Sequence, residues 1–156
     1  RQYQSYLNEG KLKKEITRLK GLVEVDEIIA RKHFLRLSVP DTYRLMEKVG
    51  VTKDYTMGYA DQVGFRAGLC TPFQPFDILQ DKPLNISVHP FAYMDGTLCE
   101  YLKLSIEEAI EQIEFLKEEV QKVDGEFIGI WHNTSLTDQA EWQGWRKVYE
   151  VGLGNS

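Results

Sequence analysis

The segment SIEEAIEQIEFLKEEVQKVDGEFIGIWHN, residues 105–133, decides the fold class. It opens on Ser105-Ile106-Glu107-Glu108, a capping-box sequence. The serine hydroxyl meets an orphan N–H of a first helical turn, and a carboxylate three residues on reaches back to the cap. Ile106, Ile110, Ile113, Leu116 and Val120 then recur at helical spacing, which predicts a helix burying this stripe and running to about Val123. Asp124-Gly125 stops it. Glu126-Phe127-Ile128-Gly129-Ile130-Trp131 follows, nearly continuous in apolar character, and predicts a strand buried on both faces that delivers His132-Asn133 at its C-terminal end. A helix that feeds such a strand is the building unit of a parallel α/β sheet.

Working outward, the same alternation continues. Asp138 to about Val151 predicts a last helix with Trp142, Trp145 and Tyr149 on one side, followed by a Gly-rich tail, Gly152 to Ser156, expected to fray. Upstream, Leu84 to His89 alternates apolar and polar residues over one strand length and ends at Pro90. Pro72, Pro75 and Pro83 make Thr71 to Lys82 mostly loop. Gly64–Cys70 and Tyr55–Tyr59 read as short strands. Pro40 opens a helix over Asp41 to Val49 that Gly50 closes. Ile28 to Leu37 reads as a strand followed by a polar lip. Leu12, Ile16, Leu19 and Val23 place a further helix over about Asn8 to Leu22. The expectation is one α/β domain over residues 1–156, its sheet mainly parallel and covered by helices.

The composition narrows the function classes. The chain has 156 residues and a net charge of −5, so a sequence-wide basic footprint for nucleic acid is missing. No apolar run approaches the roughly 18 residues of a membrane span. Arg1-Gln2-Tyr3-Gln4 has neither an initiator Met nor an apolar core, so it reads as a cut end rather than a signal peptide, and the cytoplasm is favoured. Cys70 and Cys99 lack metal or redox spacing and read as buried free thiols.

In parallel sheets chemistry gathers where strands end at their C-termini. That rule singles out Arg31 to Arg36, Asp61 to Arg66, His89, Asp95 and His132. A strand-end imidazole serves as a general acid once a carboxylate orients it; the ordinary alternative for His132 is a structural bond to a backbone carbonyl. Trp131, Asn133 and His33 stand where a substrate would touch, although His33 is equally explained by stacking on Phe34. Arg66, between Gly64 and Gly68, suits bidentate pairing with a carboxylate, in catalysis or as a buried structural pair. His89 reads as structural, and Trp142 with Trp145 as core packing. The three histidines carry no metal-ligand spacing.

Several strings together resemble a Bacteroidetes-type branch of the polysaccharide deacetylase (NodB-homology) family. They are Arg31-Lys32-His33-Phe34-Leu35-Arg36-Leu37, Pro40-Asp41-Thr42-Tyr43-Arg44, Asp54-Tyr55-Thr56-Met57-Gly58-Tyr59-Ala60 and Gly64-Phe65-Arg66-Ala67-Gly68. Met94-Asp95-Gly96-Thr97-Leu98, Trp131-His132-Asn133-Thr134-Ser135-Leu136 and Trp142-Gln143-Gly144-Trp145-Arg146 complete the set. The chain is similar to the C-terminal part of such a domain. The resemblance implies part of a distorted (β/α) barrel and a hydrolase acting on N-acetylated carbohydrate. It also implies a divalent, zinc-like metal that activates the attacking water. His132 matches the late-strand catalytic acid and Asp95 the carboxylate that tunes it. Arg31, with His33, matches the arginine motif that orients the base, and Arg66 competes for that role.

The family's early Thr-Phe-Asp-Asp-Gly motif and its His-x-x-x-His pair do not occur in this sequence, so no metal ligand is assigned. Two readings stand beside the hydrolase: a non-catalytic carbohydrate-binding or interaction module on the same scaffold, and an unrelated α/β enzyme using His132 with Arg66. A parallel barrel without its first strands exposes apolar edges, so self-association or a preceding segment is expected to cover them, unless the sheet is open by design.

Overall fold

A computed structural model describes residues 8–24, 26–137 and 139–154. The expectations for Arg1 to Gln4, for Asp138 as a helix start and for Asn155-Ser156 lie outside the described residues. The chain is mixed helix and strand, with small sheets that are mainly parallel. It divides into two compact units, one comprising 1–57 and 72–89, the other 58–71 and 90–156.

In the first unit α1 spans Glu9–Lys20, where the Asn8 side chain accepts from the Lys11 N–H and caps the first turn. Strand β1 is Ile29–Ala30, α2 is Asp41–Lys48 and β2 is Lys53–Asp54. A hairpin of β3, Phe76–Asp77, and β4, Lys82–Pro83, follows, and β5 is Ser87–Val88. Strands β1, β2 and β5 form a three-stranded parallel sheet in that order. Leu12 and Ile16 of α1, Tyr43 and Met46 of α2, and Ile28, Val51, Ile86 and Val88 make one buried core. The hairpin is fastened by Arg44, whose guanidinium grips both oxygens of the buried Asp77. The N–H groups of Leu79 and Gln80 also donate to Asp77, at 3.0 and 3.1 Å.

Between β1 and α2 the chain makes a short 3-10 turn, His33–Leu35, in which Phe34 and Leu35 have φ of 59° and 49°. Left-handed backbone costs a side-chain-bearing residue roughly 1–2 kcal/mol. The expected polar lip is therefore a sharp, strained bend that leaves Phe34 exposed and Leu35 buried.

In the second unit β6 is Tyr93–Met94, and a π-helical turn covers Thr97–Tyr101. Helix α3 is Ile106–Gln121, β7 is Gly129–Ile130 and α4 is Arg146–Gly152. Strands β6 and β7 pair in parallel, Tyr93 with Gly129 and Met94 with Ile130. The capping box forms as read. Ser105 Oγ accepts from the Glu108 N–H at 3.2 Å, and the Glu108 carboxylate accepts from the Ser105 N–H at 2.8 Å. Ile113, Leu116 and Val120 are buried, joined by Ala109, while Ile106 and Ile110 sit at the margin. Trp142, Trp145 and Val148 complete this core. Gly129 has a steric reason, since a Cβ there would lie 2.5 Å from the Tyr93 ring.

Four expectations are corrected. The strand read over Glu126–Trp131 is only Gly129–Ile130, and it is not buried on both faces, since Gly129 is exposed. Tyr55–Tyr59 is not a strand; pairing ends at Asp54, because the carboxylate of that residue captures the Thr56 N–H and hydroxyl and turns the chain. Gly64–Cys70 is a run of turns, with Gly64 at φ 98° and Gly68 at φ 74°. The last helix begins only at Arg146, after a separate 3-10 turn over Ala140–Trp142. Cys70 and Cys99 are free thiols, Cys70 buried and Cys99 partly so.

Candidate functional site

The strand ends of the second unit bring two of the sequence candidates together. Asp95 follows β6 directly, and His132 follows β7 by two residues, so the parallel pairing carries both to the same end of the sheet. The Asp95 side chain is fully buried, whereas that of His132 is 42 % exposed. His132 Nδ1 lies 2.8 Å from Asp95 Oδ1, and its backbone N–H donates to Oδ2 at 2.7 Å. A 3-10 turn over Asn133–Leu136 curls the chain back so that the buried Ser135 donates its hydroxyl to Oδ2. The Gly96 N–H donates to Oδ1 at 2.7 Å. A carboxylate offers about four acceptor positions. All four are used.

The consequence for the imidazole follows from Asp95 acting as a carboxylate, which only accepts. Nδ1 carries the hydrogen that Asp95 accepts, so Nε2 is the position open to a reacting group. The ring is held from two sides, through its own backbone N–H and through Nδ1, with one carboxylate receiving both. Nε2 has no hydrogen-bond partner among the described residues. The arrangement can move a proton at Nε2 while Asp95 steadies the charge on the ring.

The other candidates are dispersed. Trp131 is engaged elsewhere: its Nε1 donates to the Tyr93 hydroxyl at 3.3 Å and its ring packs edge-on against Tyr93 and Tyr149. Asn133 is exposed at the start of the 3-10 turn. Arg66 is exposed and makes no ion pair among the described residues, and its flanking glycines serve the turn rather than a close approach, with nothing near the position of an added Cβ. Arg31 and His33 belong to the first unit. Both are exposed there, and the His33 ring lies against Phe34 at a tilt of 51°, with centroids 4.1 Å apart, rather than stacked on it. His89 is nearly buried, bonded to Ser87 at 3.0 Å and stacked on Tyr55.

The first unit has a second polar centre that sequence reasoning missed. Asp54 ends β2 fully buried and accepts the Thr56 N–H at 3.0 Å and the Thr56 hydroxyl at 2.5 Å. Thr56 Oγ1 in turn accepts the Lys32 N–H at 2.9 Å. Burial pushes the Asp54 carboxyl up to about 6, against the pull of the Thr56 hydrogen bonds, Lys32 and Tyr43. Burial lowers the Lys32 ammonium, with Glu15 and Asp54 opposing. The available signal was the strand-end rule; placing the strand over Tyr55–Tyr59 hid Asp54 as its terminus. Ser135 was missed as a partner because only the 3-10 turn returns it to Asp95.

No three His, Cys, Asp or Glu side chains among the described residues gather as a metal-holding group. No helix among them is long and apolar enough to cross a membrane. Compared with protein-family models, with curated proteins and with solved structures, the chain finds no match.

Proposed function

We propose that this chain is a hydrolase domain of the polysaccharide-deacetylase kind, in which His132 is the general acid and Asp95 its orienting carboxylate. One observation carries the reading: an exposed imidazole whose Nδ1 is fixed on a buried carboxylate, leaving Nε2 open where two parallel strands end. When an N-acetyl group is hydrolysed, water adds to the acetyl carbonyl and the C–N bond then breaks. The departing nitrogen needs a proton, which the imidazolium form of His132 gives from Nε2, leaving the neutral ring with the Nδ1–H that Asp95 accepts. The chain's parallel pairs and covering helices support a scaffold derived from a (β/α) barrel. The metal and the base of such a site belong to motifs this sequence does not contain, and no step is assigned to them here.

The test is acetate and free-amine release from an N-acetylated chito-oligosaccharide with zinc supplied, comparing wild type with His132→Ala. Removing the acid is expected to cost about 10²-fold or more in rate. An undiminished rate overturns the acid role. Oligosaccharide-induced shifts at the His132 ring without acetate release by wild type favour the non-catalytic binding module.

A further inference from the structure

We propose that the cavity between α1 and β1 binds a small organic anion with an apolar body, and that Lys32 supplies the central positive charge. The cavity lies wholly within the first unit, holds about 250 Å³, and is independent of the His132 dyad. That volume is below the range of drug-sized ligands and suits a short-chain or single-ring molecule. Its walls are of two kinds. Leu12, Ile16, Ile28 and Val51 supply apolar surface, and Arg31, Lys32 and Arg36 bring three cations to the same space. Glu15 is the only carboxylate among the described residues that line it.

Lys32 is the unusual member. The residue is only 8 % exposed, yet its ammonium makes no hydrogen bond or ion pair among the described residues. Its charge is felt by Glu15, which lines the cavity, and by Asp54 at the end of β2, so the amine lies in the field of both without direct contact. A buried ammonium without a close counter-ion is costly, and an entering carboxylate or phosphate ester would provide one. Burial already lowers its affinity for the proton, which is the expected state of such a cation before its ligand arrives. The strained bend through Phe34 and Leu35 adds to this picture, because left-handed backbone at side-chain-bearing residues collects at ligand-binding segments. This bend follows directly on Lys32 and sets Phe34, His33 and Arg36 around the cavity.

Hexanoate is the probe, with hexanol and hexylammonium as matched neutral and cationic controls, followed by NMR at the methyls of Leu12, Ile16, Ile28 and Val51. Saturable hexanoate shifts are expected, with hexanol binding at least about tenfold more weakly and hexylammonium not at all. Lys32→Met keeps the buried stem and is expected to weaken hexanoate by about tenfold or more, whereas Lys32→Arg retains most of the binding. Glu15→Gln, at a half-buried position on α1, is expected to tighten it by roughly twofold. This variant carries the test if Lys32→Met fails to fold. Absence of saturable hexanoate shifts, equal affinity for hexylammonium, or unchanged affinity in both variants overturns the assignment.

Discussion

Buried carboxylates do different work in this chain according to what donates to them, and Asp54 and Asp77 show opposite signs. Burial lifts Asp54 to about 6 from its ordinary 3.8. The folded state then binds that proton more tightly than the unfolded chain does. Stability from this group is fully present below about 3.8 and is lost as the pH rises through 6. Asp77 is held down to about 2, first by the Arg44 guanidinium and further by the Gln80 and Leu79 N–H groups. Its contribution is present above 3.8 and is lost as the pH falls through 2. The prediction concerns Asp54→Asn, which copies the protonated shape. Urea denaturation of this variant should show a flattened pH dependence between about 4 and 7, against a fall of a few kcal/mol for wild type. An unchanged slope in the variant would mean that Asp54 titrates normally.

At the scale of elements, α3 owes its start to one hydroxyl. Ser105→Ala removes the acceptor for the Glu108 N–H and leaves only the backbone half of the box, the residue-105 N–H donating to the Glu108 carboxylate. The expected loss is about 1 kcal/mol, read as a lower denaturation midpoint with an unchanged m-value. A midpoint equal to wild type would show the box contributes nothing. This helix was legible because its cap, its stripe of isoleucines and its length all agree. Helix α1 with Asn8 and α2 behind Pro40 were legible for the same reason. Strands were harder. Each pairs over only two residues, so side-chain alternation carries little information, and glycines around Arg66 that looked like strand boundaries are turn positions with positive φ. The site was half legible. His132 and Asp95 follow strands and could be found by the strand-end rule. The Ser135 contact depends on a 3-10 turn, and the Asp54–Thr56 contact on a side chain that ends a strand; neither has a periodic signature.

At the scale of the molecule, each unit encloses its own apolar cluster, the first around Tyr43, Met46 and Val88, the second around Tyr93, Leu98 and Ile113. The three-stranded sheet ends on β1, whose outer edge has no strand partner among the described residues, and Ile29 on that strand is 54 % exposed. Unpaired N–H and C=O groups next to an exposed isoleucine invite another strand, and a lysine at such an edge discourages it. The prediction is that wild type self-associates at high concentration and Ile29→Lys does so less, with light scattering coupled to size exclusion as the measurement. Wild type that stays monomeric at every concentration would show that this edge needs no partner.

The four-donor grip on Asp95 has a practical consequence for anyone wishing to silence this protein. The same carboxylate that holds the His132 ring also anchors the peptide groups of Gly96 and His132 and the hydroxyl of Ser135, so it is mortar as well as part of the proposed acid. Replacing it would loosen two strand ends at once, and a dead variant made that way would leave chemistry and architecture confounded. The clean lesion is at the imidazole, whose Nε2 side bears no structural weight among the described residues.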